Sequence, residues 1–216
     1  MKLLLTSNGL QGKIKDVFST LLTKNPQDCS AAFITTAAYG EEGDPETWLE
    51  KYRQQLRDAG ITNIENVDLR NTTGEALEKV LENKDIVYVN GGNTFFLLNY
   101  ARESGFEAVL QKFLNDGNVY VGVSAGSIIC CPTIETAFYT PPDLNTVGLT
   151  DFTGFSFVNF LISPHFEQSG KVLLEQEAAK ASLPVVVLTD MQAVLVQDGT
   201  TEIVGDGEHI TLHPHV

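Results

Sequence analysis

Residues 119–130 of the chain read VYVGVSAGSIIC, and this stretch decides how the surrounding sequence is interpreted. Its apolar, β-branched first half, Val119–Val123, is typical of a buried strand. The strand runs into Gly122-Val123-Ser124-Ala125-Gly126, a G-x-S-x-G sequence, and then into the helix-capable residues 127–130. In a strand–turn–helix context this motif exposes the serine on a tight turn, with glycines giving the backbone room. The stretch predicts a nucleophile elbow at Ser124. The alternative is a glycine-rich turn between strand and helix that has no catalytic role.

Strand-like and helix-like segments alternate on both sides of this elbow. Alternation of this kind predicts a three-layer α/β sandwich with a central, mostly parallel sheet. The other predicted strands are Leu3–Thr6, Ala31–Thr36, Ile64–Asp68 and Ile86–Val89, and the predicted helices are Lys13–Leu22, Pro45–Ala59, Gly74–Glu82, Thr94–Arg102 and Phe106–Asn115.

The last third of the chain has a different pattern. Residues 136–154 form a long segment rich in Thr, Pro and Gly, and long irregular segments in compact domains tend to be functional. Short strand-like runs joined by Gly and Asp turns follow, and they predict antiparallel additions near the C-terminus at the far edge of the sheet. These runs are Pro184–Thr189, Ala193–Gln197, Glu202–Val204 and His209–Leu212.

Length and composition exclude several classes of protein. A chain of 216 residues is the length of about one domain, so residues 1–216 are expected to form a single unit. The formal net charge of −14 argues against nucleic-acid binding, which needs Lys and Arg to neutralise phosphates. Three cysteines without metal-ligand spacing argue against a disulfide framework. The apolar start is too short for a signal peptide and no apolar run approaches a membrane span, so a cytoplasmic protein is expected.

A second glycine motif, Asn90-Gly91-Gly92-Asn93-Thr94, follows the apolar strand that ends at Val89. Its N–H groups could form an oxyanion hole together with the amide of Ala125. Asn93 and Thr94, at the start of the next helix, are candidate substrate-binding residues. A phosphate cradle is the competing interpretation, although neither common phosphate-loop motif is present.

An activated serine needs a neighbouring base, and His165 in Ser163-Pro164-His165-Phe166 is the candidate. The other histidines, His209, His213 and His215, all lie in the C-terminal tail. A base also needs an acid to orient it. The candidates between nucleophile and base are Glu135, Asp143 and Asp151.

Taken together, GGNT after one strand, GVSAGS after the next, CPTI and then SPHF resemble the peptidase E (aspartyl dipeptidase) family. Cyanophycinases are relatives of that family, and its fold resembles that of class I glutamine amidotransferases. The resemblance implies Ser124 as nucleophile, His165 as base, and the turn at Gly91 and Gly92 with the Ala125 amide as oxyanion hole. The run Thr140-Pro141-Pro142-Asp143 resembles the family's T-x-x-D, which makes Asp143 the expected acid, with Glu135 as the alternative.

The resemblance therefore predicts a serine-type exopeptidase or dipeptidase that hydrolyses a small peptide or amide through an acyl-enzyme, without metal or cofactor, as a monomer or homodimer. Aspartyl specificity is in doubt, because the family grips the substrate's aspartate with an Arg downstream of the histidine. This chain has no Arg after Arg102, and only Lys171 and Lys180 follow His165. The alternatives are an esterase, an isopeptidase, or an idle member that binds an amino-acid ligand. An amidotransferase-like domain is disfavoured because its nucleophile is Cys.

Overall fold

A computed structural model describes residues 1–214, so His215 lies outside the described residues. Its main feature is a seven-stranded sheet whose first five strands are parallel. The last two strands of the sheet run antiparallel to their neighbours. Across the sheet the strands are β3 (Asn63–Val67), β2 (Ser30–Ile34), β4 (Ile86–Val89), β5 (Val119–Val123), β1 (Lys2–Thr6), β8 (Gln192–Gln197) and β9 (Thr200–Gly205).

Helices cover both faces of this sheet. Successive side chains lie on opposite faces of the sheet, so Leu3 and Leu5 pack into one core and Leu4 into the other. Among the described residues no helix is long and apolar enough to cross a membrane. One face carries α1 (Lys13–Leu21) and α2 (Pro45–Asp58), and the other carries α3 (Gly74–Leu81), α4 (Thr94–Glu103), α5 (Phe106–Asn115), the short α6 (Ala125–Ile128) and α7 (Lys171–Ala178).

The C-terminal strands are divided between two sheets, and the prediction that they all extend the main sheet was wrong on this point. Strands β8 and β9 do extend it antiparallel beyond β1, as predicted. The remaining strands form a separate three-stranded sheet, with β6 (Leu161–Ser163) parallel to β7 (Val185–Val187) and β10 (Ile210–Leu212) antiparallel to β7. Short runs of Val and Ile fit either sheet, because pairing partners are chosen by long-range packing rather than by local pattern.

Candidate active site

Ser124 lies on a strained elbow at the carboxyl end of β5. Its backbone has φ 48° and ψ −106°, a conformation that non-glycine residues rarely adopt. The elbow is fixed on the neighbouring strand, where the Ser124 N–H donates to the Thr6 carbonyl oxygen at 3.0 Å. Residues in such conformations persist only when the surrounding structure enforces them, and they cluster at functional sites.

The two flanking glycines are required by close packing of the backbone around this elbow. A Cβ added to Gly122 would lie 2.5 Å from the carbonyl oxygen of Gly126. A Cβ added to Gly126 would lie 2.5 Å from the carbonyl oxygen of Val89 on β4. Because the clashing atoms belong to the backbone, they cannot move aside as a flexible side chain would. The G-x-S-x-G pattern is therefore a steric condition for bringing Ser124 to this position.

The second glycine turn lies beside the serine. A Cβ on Gly91 would lie 3.3 Å from Cβ of Ser124, and Gly92 has φ 133°, a backbone region that favours glycine. Within residues 1–214 the N–H groups of Gly91 and Gly92 have no hydrogen-bond acceptor. The amide of Ala125 begins a helix of one turn, so no acceptor within that helix is available to it. The turn thus places unpaired backbone donors next to the Ser124 side chain.

His165 contacts a carboxylate that the sequence argument did not consider. Its Nδ1 lies 2.7 Å from Oδ1 of Asp190, and both side chains are about half-exposed, at 48%. Ser7, which follows β1, bridges the pair: its Oγ accepts from the His165 N–H at 2.8 Å and donates to Asp190 Oδ1 at 3.0 Å. Asn8 donates to the other oxygen of Asp190 at 2.9 Å. The histidine ring is therefore held by a carboxylate that is itself held by the two residues that follow β1.

The three carboxylates considered from the sequence have other partners. Asp143 accepts a hydrogen bond from the Thr94 amide at 2.8 Å. Glu135 accepts from the amide and hydroxyl of Ser182, at 2.8 and 3.0 Å. Asp151 accepts from Thr153 and forms an ion pair with Arg102. None of these contacts involves His165. The signal that points to Asp190 is its position just beyond β7, since polar residues at strand ends collect at one edge of a sheet.

A cavity of about 530 Å³ collects most of the candidate residues. Asn93 does not line it, because that side chain is buried, caps α4 through the Phe96 amide at 2.9 Å and donates to the Leu144 carbonyl oxygen at 2.9 Å. Neither Lys171 nor Lys180 lines it. The lining includes the predicted residues Gly91, Gly92, Thr94, Ser124, Asp143 and His165, and residues the sequence argument missed: Glu41, Trp48, Lys51, Tyr52, Thr136 and Tyr139.

Burial and neighbouring charges change the pKa of three side chains that line the cavity. Burial raises the pKa of Asp143, although the hydrogen bonds from Thr94 and the nearby His165 act in the opposite direction. Burial likewise raises the pKa of Glu41, and the neighbouring Asp143 raises it further. Burial, together with Asp190, raises the pKa of Tyr52 to about 12. The Lys51 ammonium group also lies at this cavity and donates to Asn8 Oδ1 at 2.9 Å.

Within residues 1–214 no group of three His, Cys, Asp or Glu side chains is placed to hold a metal ion. The groups that the described residues bring to the cavity are the Ser124 hydroxyl on its elbow, the His165 imidazole hydrogen-bonded to Asp190, and unpaired backbone N–H donors.

An α/β fold in which a serine elbow and a histidine line one cavity, with an aspartate hydrogen-bonded to that histidine, defines the class of serine-type hydrolases. A family model described as peptidase family S51 matches residues 3–204. The chain belongs to this family of serine peptidases, and it is a dipeptidase-like hydrolase related to peptidase E. The resemblance inferred from the sequence motifs is confirmed.

Individual relatives agree with this assignment. The chain is 30% identical over 208 residues to an uncharacterised peptidase of Pasteurella multocida (strain Pm70), covering 91% of this chain and 96% of the relative. It is 34% identical over 176 residues to peptidase E of Shigella flexneri serotype 5b, covering 77% and 69%. A crystal structure from Listeria monocytogenes EGD-e superposes with a TM-score of 0.79 at 24% identity, covering 95% of this chain and 98% of that one. The predicted fold class is thereby confirmed.

Proposed function

We propose that this peptidase hydrolyses short peptides or aminoacyl amides through an acyl-enzyme on Ser124. The observation that carries the proposal is the 2.7 Å contact between His165 and Asp190 at the cavity that Ser124 lines from a strained elbow. A carboxylate that accepts a hydrogen bond from Nδ1 stabilises the tautomer in which Nδ1 carries the proton, so that Nε2 is free to accept one. Asp190 therefore takes the orienting role that the sequence argument gave to Asp143 or Glu135.

In the proposed reaction these groups act one after another. His165 Nε2 removes the Ser124 proton as the hydroxyl attacks the substrate carbonyl carbon, and the carbonyl oxygen becomes an oxyanion. The unpaired amides of Gly91, Gly92 and Ala125 donate to that oxyanion. The imidazolium returns the proton to the leaving amine, which departs and leaves the acyl group on Ser124. Water, deprotonated by the same imidazole, hydrolyses the ester.

The size and charge of the cavity support a small substrate without strong aspartyl preference. A volume of about 530 Å³ suits a small ligand rather than a folded protein. Among the described residues the cavity is lined by no Arg, and Lys51 is its only Lys. Arg binds a carboxylate bidentately in a way that Lys cannot, and a buried carboxylate without a cation is costly. We therefore propose that aspartyl substrates are not strongly favoured.

A panel of chromogenic aminoacyl amides tests both parts. We expect cleavage of several of them by the wild-type protein, no more than about tenfold preference for the aspartyl amide, and at least about 10⁴-fold lower kcat in Ser124→Ala. Cleavage that survives in Ser124→Ala would contradict the mechanism. A strong aspartyl preference that Lys51→Ala leaves unchanged would contradict the specificity argument alone.

A further inference from the structure

The side chain of Asn90 holds the glycine turn from inside the protein. Asn90 is fully buried and does not line the cavity, whereas Gly91 and Gly92 do. Its Nδ2 donates to the Gly91 carbonyl oxygen at 3.0 Å, and within residues 1–214 no backbone N–H donates to that oxygen. The nitrogen must lie on this side of the amide, because Oδ1 in its place would face another acceptor. The Gly91 carbonyl therefore points into the protein, toward Asn90.

The backbone and the packing do not by themselves account for an asparagine at this position. Asn90 does not have a positive φ, so its backbone conformation is open to most residue types. Its Oδ1 is buried and has no hydrogen-bond partner among the described residues. An unpaired buried acceptor costs stability, so this end of the amide does not support the fold. The hydrogen bond from Nδ2 to Gly91 is the contact that only a donor at this position can make.

This hydrogen bond sets the direction of the Gly92 N–H. A peptide unit is planar and trans, so its C=O and N–H groups point in opposite directions. With the Gly91 oxygen turned toward Asn90, the Gly92 N–H points to the cavity that Gly92 lines. Within residues 1–214 that N–H has no acceptor. A donor aimed in this way is what an oxyanion formed beside Ser124 requires.

The alternative orientation of this peptide is the one that the Asn90 amide prevents. Glycine tolerates both signs of φ, so a peptide between two glycines can turn over without moving the residues on either side. Those residues are anchored separately. The Asn90 N–H donates to the Ile34 carbonyl oxygen at 3.1 Å. The Asn93 N–H donates to the Ala37 carbonyl oxygen at 3.0 Å. In the turned-over form the Gly91 oxygen would face the cavity and repel an oxyanion.

We propose that Asn90 is a positioning residue for the reaction at Ser124, because its amide selects the orientation of the glycine turn in which the Gly92 N–H stabilises the oxyanion. Asn90 does not line the cavity and acts only through the turn. This inference rests on the proposed function, since an oxyanion forms only when Ser124 attacks a carbonyl carbon. It names the side chain that keeps one oxyanion donor aimed at the reacting atom.

Steady-state hydrolysis of aminoacyl amides by two variants tests the kinetic consequence. Asn90→Ala removes the amide, and Asn90→Leu removes it while keeping nearly the same bulk. Loss of one oxyanion donor lowers kcat by about 10²–10³, and a turn that keeps the donor part of the time loses less. We therefore expect both variants to lower kcat at least about tenfold and to leave KM nearly unchanged, because the oxyanion develops only as the transition state is reached.

The matched control is Ser104→Ala. Ser104 is also buried and its Oγ also donates to a carbonyl oxygen, that of Ala101 at 3.1 Å, but it lies beyond the far end of α4. We expect this variant to keep the wild-type kcat. Circular dichroism of each variant would show whether the fold is retained.

Crystal structures of the wild-type protein and of Asn90→Ala test the geometry without requiring turnover. In the wild-type protein we expect the Gly91 oxygen to face Asn90. In the variant we expect that oxygen to turn toward the cavity in at least part of the molecules. If wild-type protein cleaves no aminoacyl amide, the proposed function fails, and the crystal structures still decide whether Asn90 holds the peptide.

The proposal would be overturned by any of four results. These are a kcat loss smaller than tenfold in either folded variant, an equal loss in Ser104→Ala, a loss that appears mainly in KM, and an unchanged peptide orientation in the Asn90→Ala crystal. Failure of both Asn90 variants to fold would also overturn it, because Asn90 would then be needed for the fold rather than for the aim of the turn.

Discussion

Replacing Asp190 with asparagine tests the part of the site that the sequence did not reveal. Asparagine is almost the same size as aspartate, but its single oxygen can replace only one of the two carboxylate oxygens that accept from Ser7 and Asn8, at 3.0 and 2.9 Å. It removes the negative charge that lies 2.7 Å from His165 Nδ1. Its amide group can also donate to Nδ1, which would place the ring proton on Nε2. In that tautomer His165 can no longer accept the Ser124 proton.

The size of the effect follows from the exposure of the pair. A fully enclosed aspartate in this role accounts for about 10⁴ in kcat. Here both side chains are 48% exposed, so water can partly replace the carboxylate and the charge is partly screened. We therefore expect a loss of about 10² to 10⁴ in kcat, which corresponds to about 2.7–5.5 kcal/mol of transition-state stabilisation, with little change in KM.

The assay is steady-state hydrolysis of the best aminoacyl amide by wild type, Asp190→Asn and Asp143→Asn. Asp143→Asn serves as the comparison because it removes one carboxylate that lines the same cavity and is not hydrogen-bonded to His165. We expect it to lower kcat less than Asp190→Asn does, because Asp143 accepts from the Thr94 amide and not from His165. If Asp190→Asn kept more than about a tenth of wild-type kcat while Asp143→Asn lost a factor of about 10³, the orienting role would belong to Asp143.

Three further results are expected. Gly126→Ala should lower the free energy of unfolding, measured by urea denaturation, by about 1–3 kcal/mol, because the new Cβ would lie 2.5 Å from a backbone oxygen. The control variant Gly170→Ala should leave it unchanged, because no atom lies within 4 Å of a Cβ added there. Asp143→Asn should raise Tm near pH 7 but not below about pH 3.9. The pKa of Asp143 is raised in the folded protein, so the folded state is stabilised while the carboxyl is protonated and loses that stabilisation as pH rises; asparagine stays neutral at every pH. Ser7→Ala should lower kcat about tenfold at constant KM, because it releases the His165 amide and Asp190. A Gly126→Ala protein as stable as wild type would contradict the close packing at the elbow. An unchanged Tm near pH 7 in Asp143→Asn would contradict the effect of burial on that carboxyl, and an unchanged kcat in Ser7→Ala would contradict the bridging role of Ser7.

The elbow and the order of elements could be predicted because their causes are local. Alternating strand and helix patterns fix a mostly parallel sheet, and Gly122 and Gly126 are needed wherever backbone packs this closely. The placement of Ser124 and Gly91 at one cavity also follows, since both come after neighbouring parallel strands of the main sheet whose carboxyl ends meet at the same edge. His165 lines the same cavity but follows β6 of the second sheet.

The groups that complete the site depend on long-range packing that no local pattern encodes. Asp190 reaches His165 because β7 lies beside β6 in a second sheet, which the short valine runs did not specify. Glu41 and Lys51 come from the segment after β2 and from α2, more than 70 residues before the nucleophile in sequence. The acid was expected between Ser124 and His165 in sequence, but an acid can orient a histidine from any position in the chain.

The most direct test of the central claim is labelling by a fluorophosphonate probe, with the modified peptide located by mass spectrometry. Only a serine activated by a neighbouring base reacts readily with such a probe. We expect one adduct, on Ser124, in native wild-type protein, and none in heat-denatured protein or in Ser124→Ala. Labelling should be strongly slowed in His165→Ala. An adduct on another serine, or an unreactive native protein that nevertheless cleaves aminoacyl amides, would contradict the account of this site.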